Sequence, residues 1–123
     1  MLLSSRELDV LNVLWERGSA TVSEVLDELQ DELAYTTILT ILRRLEKKGH
    51  VEHSPDGKAH RYVALVRREE AQDSALQRLT RKLFRDSPDL LMSRLLRKGE
   101  LSERQLKELR ELVDDRLRER GTE

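Results

Sequence analysis

Cysteine is absent from the chain, which excludes disulfides, thiolate metal centres and cysteine nucleophiles. Aromatic residues amount to 3%, and there are only five glycines and two prolines. No apolar run approaches the ~20 residues needed to cross a bilayer, and the N-terminus lacks the apolar core of a signal peptide. A cytoplasmic protein is therefore expected. A general excess of positive charge is also missing, since the net charge is −1 and the sequence pI about 6.3. Nucleic-acid binding would thus require a local concentration of basic groups. What is abundant is leucine and charge, with 38% of residues charged. That is the composition of a helical protein, much of whose apolar surface is completed by a partner chain. A length of 123 residues allows one domain, or a small domain with an appendage.

The chain is organised around AYTTILTILRRLEKKG, residues 34–49. At ~100° per residue, Ile38, Ile41, Leu42 and Leu45 fall on one face of a helix. Thr36, Thr40, Arg43, Arg44 and Lys47 fall on the other. The small threonines let a helix sit deep in a major groove, while the long bases reach phosphates on the groove walls. A merely solvated face would more often alternate Glu and Lys. Here Glu46 is the single acid among four bases.

Two helices are expected before this stretch. The first spans Leu3 to Gly18, with Ser4 or Ser5 as N-cap, Glu7 in its first turn and Gly18 at its end. Leu8, Leu11, Val13, Leu14 and Trp15 supply its buried face, with Trp15 expected as the largest core side chain. A short extended piece from Ser19 follows. Thr21 and Glu24 then form a capping-box pattern opening a helix to about Glu32. Its acidic outer face (Glu24, Asp27, Glu28, Asp31, Glu32) is expected to point away from nucleic acid.

After Gly49 the period changes to strand-like alternation over residues 51–54 and 60–65, with Pro55-Asp56-Gly57-Lys58-Ala59 as the turn between. Three helices and a hairpin, with the third helix basic on its free face, is the order of a winged helix-turn-helix domain. Lys58 at the tip and Arg61 on the return strand are then wing contacts to DNA. The charge partition agrees. Residues 1–42 hold two bases, Arg6 and Arg17, against an excess of acids. Residues 43–61 hold six bases against Glu46, Glu52 and Asp56.

From Arg67 onward the pattern is helical. One helix runs to Phe84, a second opens at Ser87-Pro88 and ends at Lys98-Gly99, and a third opens at a Ser102/Gln105 capping box. Their stripes include Leu76, Leu79, Leu83, Leu91, Leu95, Leu106, Leu109, Leu112 and Val113. These residues are expected to form a dimerisation surface; the alternative is a monomeric bundle folded back on the winged helix. The expected fold is thus mainly α, with a winged-helix DNA-binding domain over residues 1–65 and a helical dimerisation region over 66–123. The order of residues 119–123 is left open.

Two other function classes compete. A metal or catalytic site could be drawn from His50, His53 and His60 with Glu52 and Asp56. His50 and His53 are three apart in a strand, however, and would point to opposite faces. No nucleophile or general base is partnered elsewhere, so no catalytic residue, metal or cofactor is expected. A winged helix used only for protein–protein contacts is the other alternative. It has no need of hydroxyls and bases gathered on one face.

The segments LSSRELDVLNVLWERG, ATVSEVLDEL, AYTTILTILRRLEKKGHVEH, GKAHRYVALV and ELSERQLKELRELVDD resemble the penicillinase-repressor (BlaI/MecI/CopY) family of bacterial transcriptional regulators. The resemblance covers nearly the whole chain. It implies a homodimer of winged helices with intertwined C-terminal helices, repressing transcription from an inverted-repeat operator. It also implies that Thr37 bonds a phosphate and that Thr36, Leu39 and Thr40 face bases. Leu39 suits a thymine methyl, its alternative being a half-buried packing residue. Antibiotic-responsive members are cut by a membrane-bound sensor metalloprotease at an Asn-Phe bond. The equivalent place here is Arg94-Leu95, so the usual scissile pair is absent. The copper-responsive branch uses C-terminal cysteines, and their absence excludes copper–thiolate sensing.

Overall fold

The computed structural model describes residues 1–30 and 33–121. Its elements run α1 (Ser5–Arg17), β1 (Ala20–Thr21), α2 (Val22–Leu29), α3 (Tyr35–Lys47), β2 (Val51–Asp56), β3 (Ala59–Ala64), α4 (Arg68–Leu83), α5 (Pro88–Arg97) and α6 (Glu103–Gly121). They form two compact units, Met1–Gln77 and Arg78–Glu123. The first unit is a winged helix, and the fold is mainly α with a small antiparallel sheet.

Capping sets the start of α1 and α2. Ser4 is the N-cap of α1: its Oγ accepts from the Glu7 amide (3.1 Å) and Glu7 Oε1 accepts from the Ser4 amide (2.9 Å). Thr21 and Glu24 do the same for α2. That helix stops at Leu29, because Gln30 takes a left-handed conformation with φ 46°. The expected end at Glu32 lies outside the described residues, as does Asp31.

The core is built from Val10, Leu11 and Leu14 of α1, Val25 of α2, Ile38, Leu42 and Leu45 of α3, Val51 of β2 and Tyr62 of β3. All four apolar α3 positions read from the sequence are buried. Trp15 is different. It is half-buried at the edge, its indole N–H donating to the Val66 carbonyl (2.9 Å) while the Arg68 guanidinium lies over the ring. Arg68 also pairs with Glu16 (2.8 Å), and Ala71 is buried. These contacts join the start of α4 to the winged helix, within the compact unit that runs to Gln77.

The sheet has strand order β1-β3-β2. Strand β1 pairs Ala20 with Tyr62 and Thr21 with Arg61; two residues are too few to show alternation in the sequence. In the hairpin, β2 and β3 pair from Val51↔Ala64 to Asp56↔Ala59. The turn is shorter than its sequence signals imply, with only Gly57 and Lys58 lying outside the strands. Pro55 sits within β2 because β2 is an edge strand, where a missing N–H costs no ladder bond. Gly57 at φ 63° supplies the positive φ required at the first position of a tight hairpin turn.

Glu7 is the one buried charged residue among those described, at 2% exposure. Besides capping α1, its carboxylate receives Lys48 Nζ at 2.8 and 3.0 Å. Lys48 also donates to the Leu2 carbonyl (3.2 Å). The residue just past α3 therefore ties that helix to the start of α1, and Lys48 does not belong to the free basic surface. Burial pushes the Glu7 carboxyl up, but Lys48 and the Ser4 bonds outweigh it and leave the carboxyl below its ordinary 4.5. A depressed carboxylate contributes stability that is complete above 4.5 and is lost as pH falls through the folded value. Lys48→Met strands this carboxylate. It is expected to cost about 3 kcal/mol at pH 7, the low end for a broken buried pair because Lys48 is itself partly exposed. Thermal unfolding at pH 7 and pH 4 checks this, since the penalty should shrink at the lower pH where Glu7 protonates.

In the second unit, Ser87 caps α5 with Pro88 at the first helical position. Ser102 and Gln105 form the reciprocal cap of α6 (2.9 and 3.1 Å). Helix α6 continues to Gly121; residues 122 and 123 lie outside the described residues.

Candidate nucleic-acid interface

Helix α3 buries one face completely, so its opposite face is fixed toward solvent. Thr36, Thr37, Thr40, Arg43, Arg44 and Lys47 are all exposed there. Thr40 Oγ1 donates to the Thr36 carbonyl one turn back (2.9 Å). That bond sets the hydroxyl rotor and leaves its oxygen lone pairs and methyl outward. The start of the helix is open as well. Side chains cap α1, α2, α5 and α6, whereas α3 begins at Ala34 with no side-chain cap. Tyr35, about half exposed beside Thr36, joins this surface at the first turn of α3, the only local signal of its place there. Leu39 is half-buried and packs against the core, so its packing role is real and only its edge faces outward.

The ion pairs separate two kinds of base. The first unit contains Arg6, Arg17, Arg43, Arg44, Lys47, Lys48, Lys58, Arg61, Arg67 and Arg68. Arg6 pairs with Asp9, Arg17 with Glu24 and Glu28, and Lys48 with Glu7. Arg61 pairs with Glu24 and Asp56, Arg67 with Glu70, and Arg68 with Glu16. Among the described residues no carboxylate pairs with Arg43, Arg44, Lys47 or Lys58. Those four lie on the outer face of α3 and at the wing tip.

Glu46, the lone acid of α3, is turned away from this group. Its Oε2 lies 2.5 Å from His53 Nδ1 on β2. The His53 ring stacks on His60 of β3 at 4.4 Å and meets Tyr62 at 5.5 Å. The histidines therefore join helix to wing, and among the described residues no three His, Cys, Asp or Glu side chains converge as metal ligands. Arg61, expected as a DNA contact, is turned to protein: all three guanidinium nitrogens have partners in Asp56, Glu24 or Ser19. The acidic face of α2 thus meets the wing through Glu24, a link invisible in the sequence.

In the second unit, the expected apolar stripes are mostly uncovered. Leu79, Leu83, Leu95, Leu106, Leu112 and Val113 are exposed, as is Leu76 in the first unit, while Leu109 is half-buried and Leu91 buried. Between α5 and α6 lies an open apolar groove of about 630 Å³, lined by residues including Leu95, Leu96, Leu106, Leu112 and Leu117.

The chain is similar to known regulatory proteins. The methicillin resistance regulatory protein MecI of Staphylococcus aureus (strain N315) is 26% identical over 114 residues, covering 91% of this chain and 93% of that protein. The penicillinase repressor of Bacillus licheniformis is 24% identical over 115 residues, covering 92% and 90%. Among solved structures, the DNA-binding domain of the repressor BlaI superposes with a TM-score of 0.51 at 33% identity, over 55% of this chain and 85% of that one. A MarR family protein from Bacillus stearothermophilus, 20% identical with a TM-score of 0.53, covers 100% of this chain and 78% of its own, and shares the fold. The penicillinase repressor profile matches residues 3–115, which include every element from α1 to β3 and most of α6, and the chain therefore belongs to the penicillinase repressor family.

Proposed function

We propose that the protein is a sequence-specific transcriptional repressor that binds an inverted-repeat operator in double-stranded DNA as a homodimer. The observation carrying this reading is the segregation of bases: those elsewhere in the winged helix are ion-paired, and the four with no carboxylate partner among the described residues lie on α3 and the wing tip. Thr36 and Thr40, with the outward edge of Leu39, present hydroxyls and methyls to base edges, and Thr37 bonds a phosphate at the start of the helix. Arg43, Arg44, Lys47 and Lys58 hold phosphates. One recognition helix offers few base contacts, and a two-fold pair doubles them on a palindrome. The uncovered leucines of α4, α5 and α6 support the pairing. A membrane-bound sensor protease, the partner implied by family resemblance, would have to act at or near Arg94-Leu95, which is inside α5.

Selection of binding sites from random duplexes at two salt concentrations tests the proposal. An inverted repeat is expected, with half-sites about one helical turn apart or a simple multiple. Thr40→Ala should alter the base preference within each half-site and leave the salt dependence unchanged. Enrichment of an isolated half-site would overturn the dimer, and enrichment of nothing at either salt would overturn DNA binding.

A further inference from the structure

The wing of this protein is held by a clamp whose centre is Arg61. We infer that Arg61 is a positioning residue: it fixes the direction of the β2–β3 hairpin, so that Lys58 meets the DNA backbone, and makes no phosphate contact itself. The inference rests on the DNA-binding reading above and deepens it.

The geometry is specific. Arg61 Nε and Nη2 both lie 3.0 Å from Asp56 Oδ2, at the last residue of β2 before the turn. Arg61 Nη1 lies 3.1 Å from Glu24 Oε1 on α2 and 3.1 Å from Ser19 Oγ ahead of β1. One guanidinium therefore joins the hairpin tip, the third strand and the second helix. The planar fork of Arg suits such multiple recognition, and an ammonium does not. The carboxylates are held in turn. Glu24 Oε1 also accepts from the Thr21 amide, and Glu24 Oε2 accepts from Arg17 at 2.9 Å. Register supports the assignment, because Arg61 pairs with Thr21 in β1 and Ser54 in β2 and so occupies the central strand.

Charge makes the alternative costly. If Arg61 turned to a phosphate, Asp56 would be left facing a polyanion without its cation, and Glu24 would keep only Arg17. In place, its charge is matched by two carboxylates and adds little to the field seen by DNA. Lys58, two residues beyond Asp56 at the exposed tip, has no such partner among the described residues. The wing's attraction to phosphate is therefore assigned to Lys58, and its aim to Arg61.

The test measures affinity and its salt dependence for the full-length chain on a fluorescently labelled duplex carrying the selected operator. Lys58→Ala should weaken binding and lower the salt slope by about one per protomer. Arg61→Ala should weaken binding in the wild-type background and change it by less than about twofold in the Lys58→Ala background. Arg61→Lys, which keeps the charge, should behave as Arg61→Ala does. Glu24→Gln, which preserves the capping pattern of α2, should weaken binding because the clamp loses an arm.

Three results would overturn the inference. One is independent losses from Lys58→Ala and Arg61→Ala, each with its own step in salt slope. Another is tighter binding by Glu24→Gln, as expected if that change freed Arg61 for phosphate. The third is silence of all the wing variants while Arg44→Ala abolishes binding, which would leave the repressor reading standing. Failure of the wild-type chain to bind any duplex would instead remove the proposed function itself.

Discussion

Replacing Arg44 and Lys47 together with alanine is expected to lower operator affinity about a thousandfold per half-site, with the melting temperature nearly unchanged. Each is an exposed cation without a carboxylate partner among the described residues, so its removal strands no protein charge. A hydrogen bond involving a charged group is worth about 2 kcal/mol. Two lost contacts then amount to about 4 kcal/mol, or about three orders of magnitude. The salt slope should fall by about two per protomer. Stability should move by no more than about 0.5 kcal/mol, because both side chains project from the solvent face of α3. One helix end carries cations whose loss should affect binding alone, and a neighbour, Lys48, whose loss should affect folding. Unchanged affinity and slope in the double variant would show that this face does not meet DNA.

Leu112→Asp combined with Leu117→Asp is expected to convert a dimer into a monomer. Both side chains are about 60% exposed in the single chain, so the change should leave each protomer folded. In a two-fold pair each substitution occurs twice, giving four apolar side chains replaced by carboxylates. At about 2 kcal/mol for burying one leucine, the loss approaches 8 kcal/mol before any cost of burying charge. Sedimentation equilibrium should give twice 14.4 kDa for the parent and 14.4 kDa for the variant at micromolar concentration. The variant should retain weak, uncoupled binding to single half-sites. A parent of 14.4 kDa at concentrations that saturate the operator would instead favour the monomeric reading of these helices.

The local signals in the sequence translated directly into structure. Ser/Thr followed three residues later by Glu or Gln marked the starts of α1, α2 and α6, because capping is decided within four residues. The buried face of α3 was equally legible, since four apolar side chains at helical spacing have only one way to be covered. What stayed hidden was settled between distant residues. Lys48 looked like part of the basic surface until Glu7, 41 positions away, was seen to bind it. The partners of Arg61, Glu24 on α2 and Asp56 at the end of β2, were likewise not legible from the sequence around it. Trp15 read as the largest core side chain, yet it is half-buried, with its indole N–H donating to the Val66 carbonyl at the margin. Pro55 read as a turn because nothing local announces that a strand is at an edge.

The pairing of the winged helix's other cations with carboxylates bears on how such a protein finds its target. Each chain carries net charge −1, so two chains together carry −2, and the molecule as a whole is repelled by the polyanion it is proposed to bind. Within the winged helix, attraction comes chiefly from Arg43, Arg44, Lys47 and Lys58, which have no carboxylate partner among the described residues, and acts over about a Debye length, 8 Å at physiological ionic strength. Arbitrary chromosomal sequence should therefore hold it weakly and release it quickly, so that few molecules are sequestered there. Selectivity would then come as much from a short residence at the many wrong sites as from a long one at the right site. For a regulator that must vacate its operator promptly when conditions change, near-neutrality keeps rebinding to surrounding DNA from masking release.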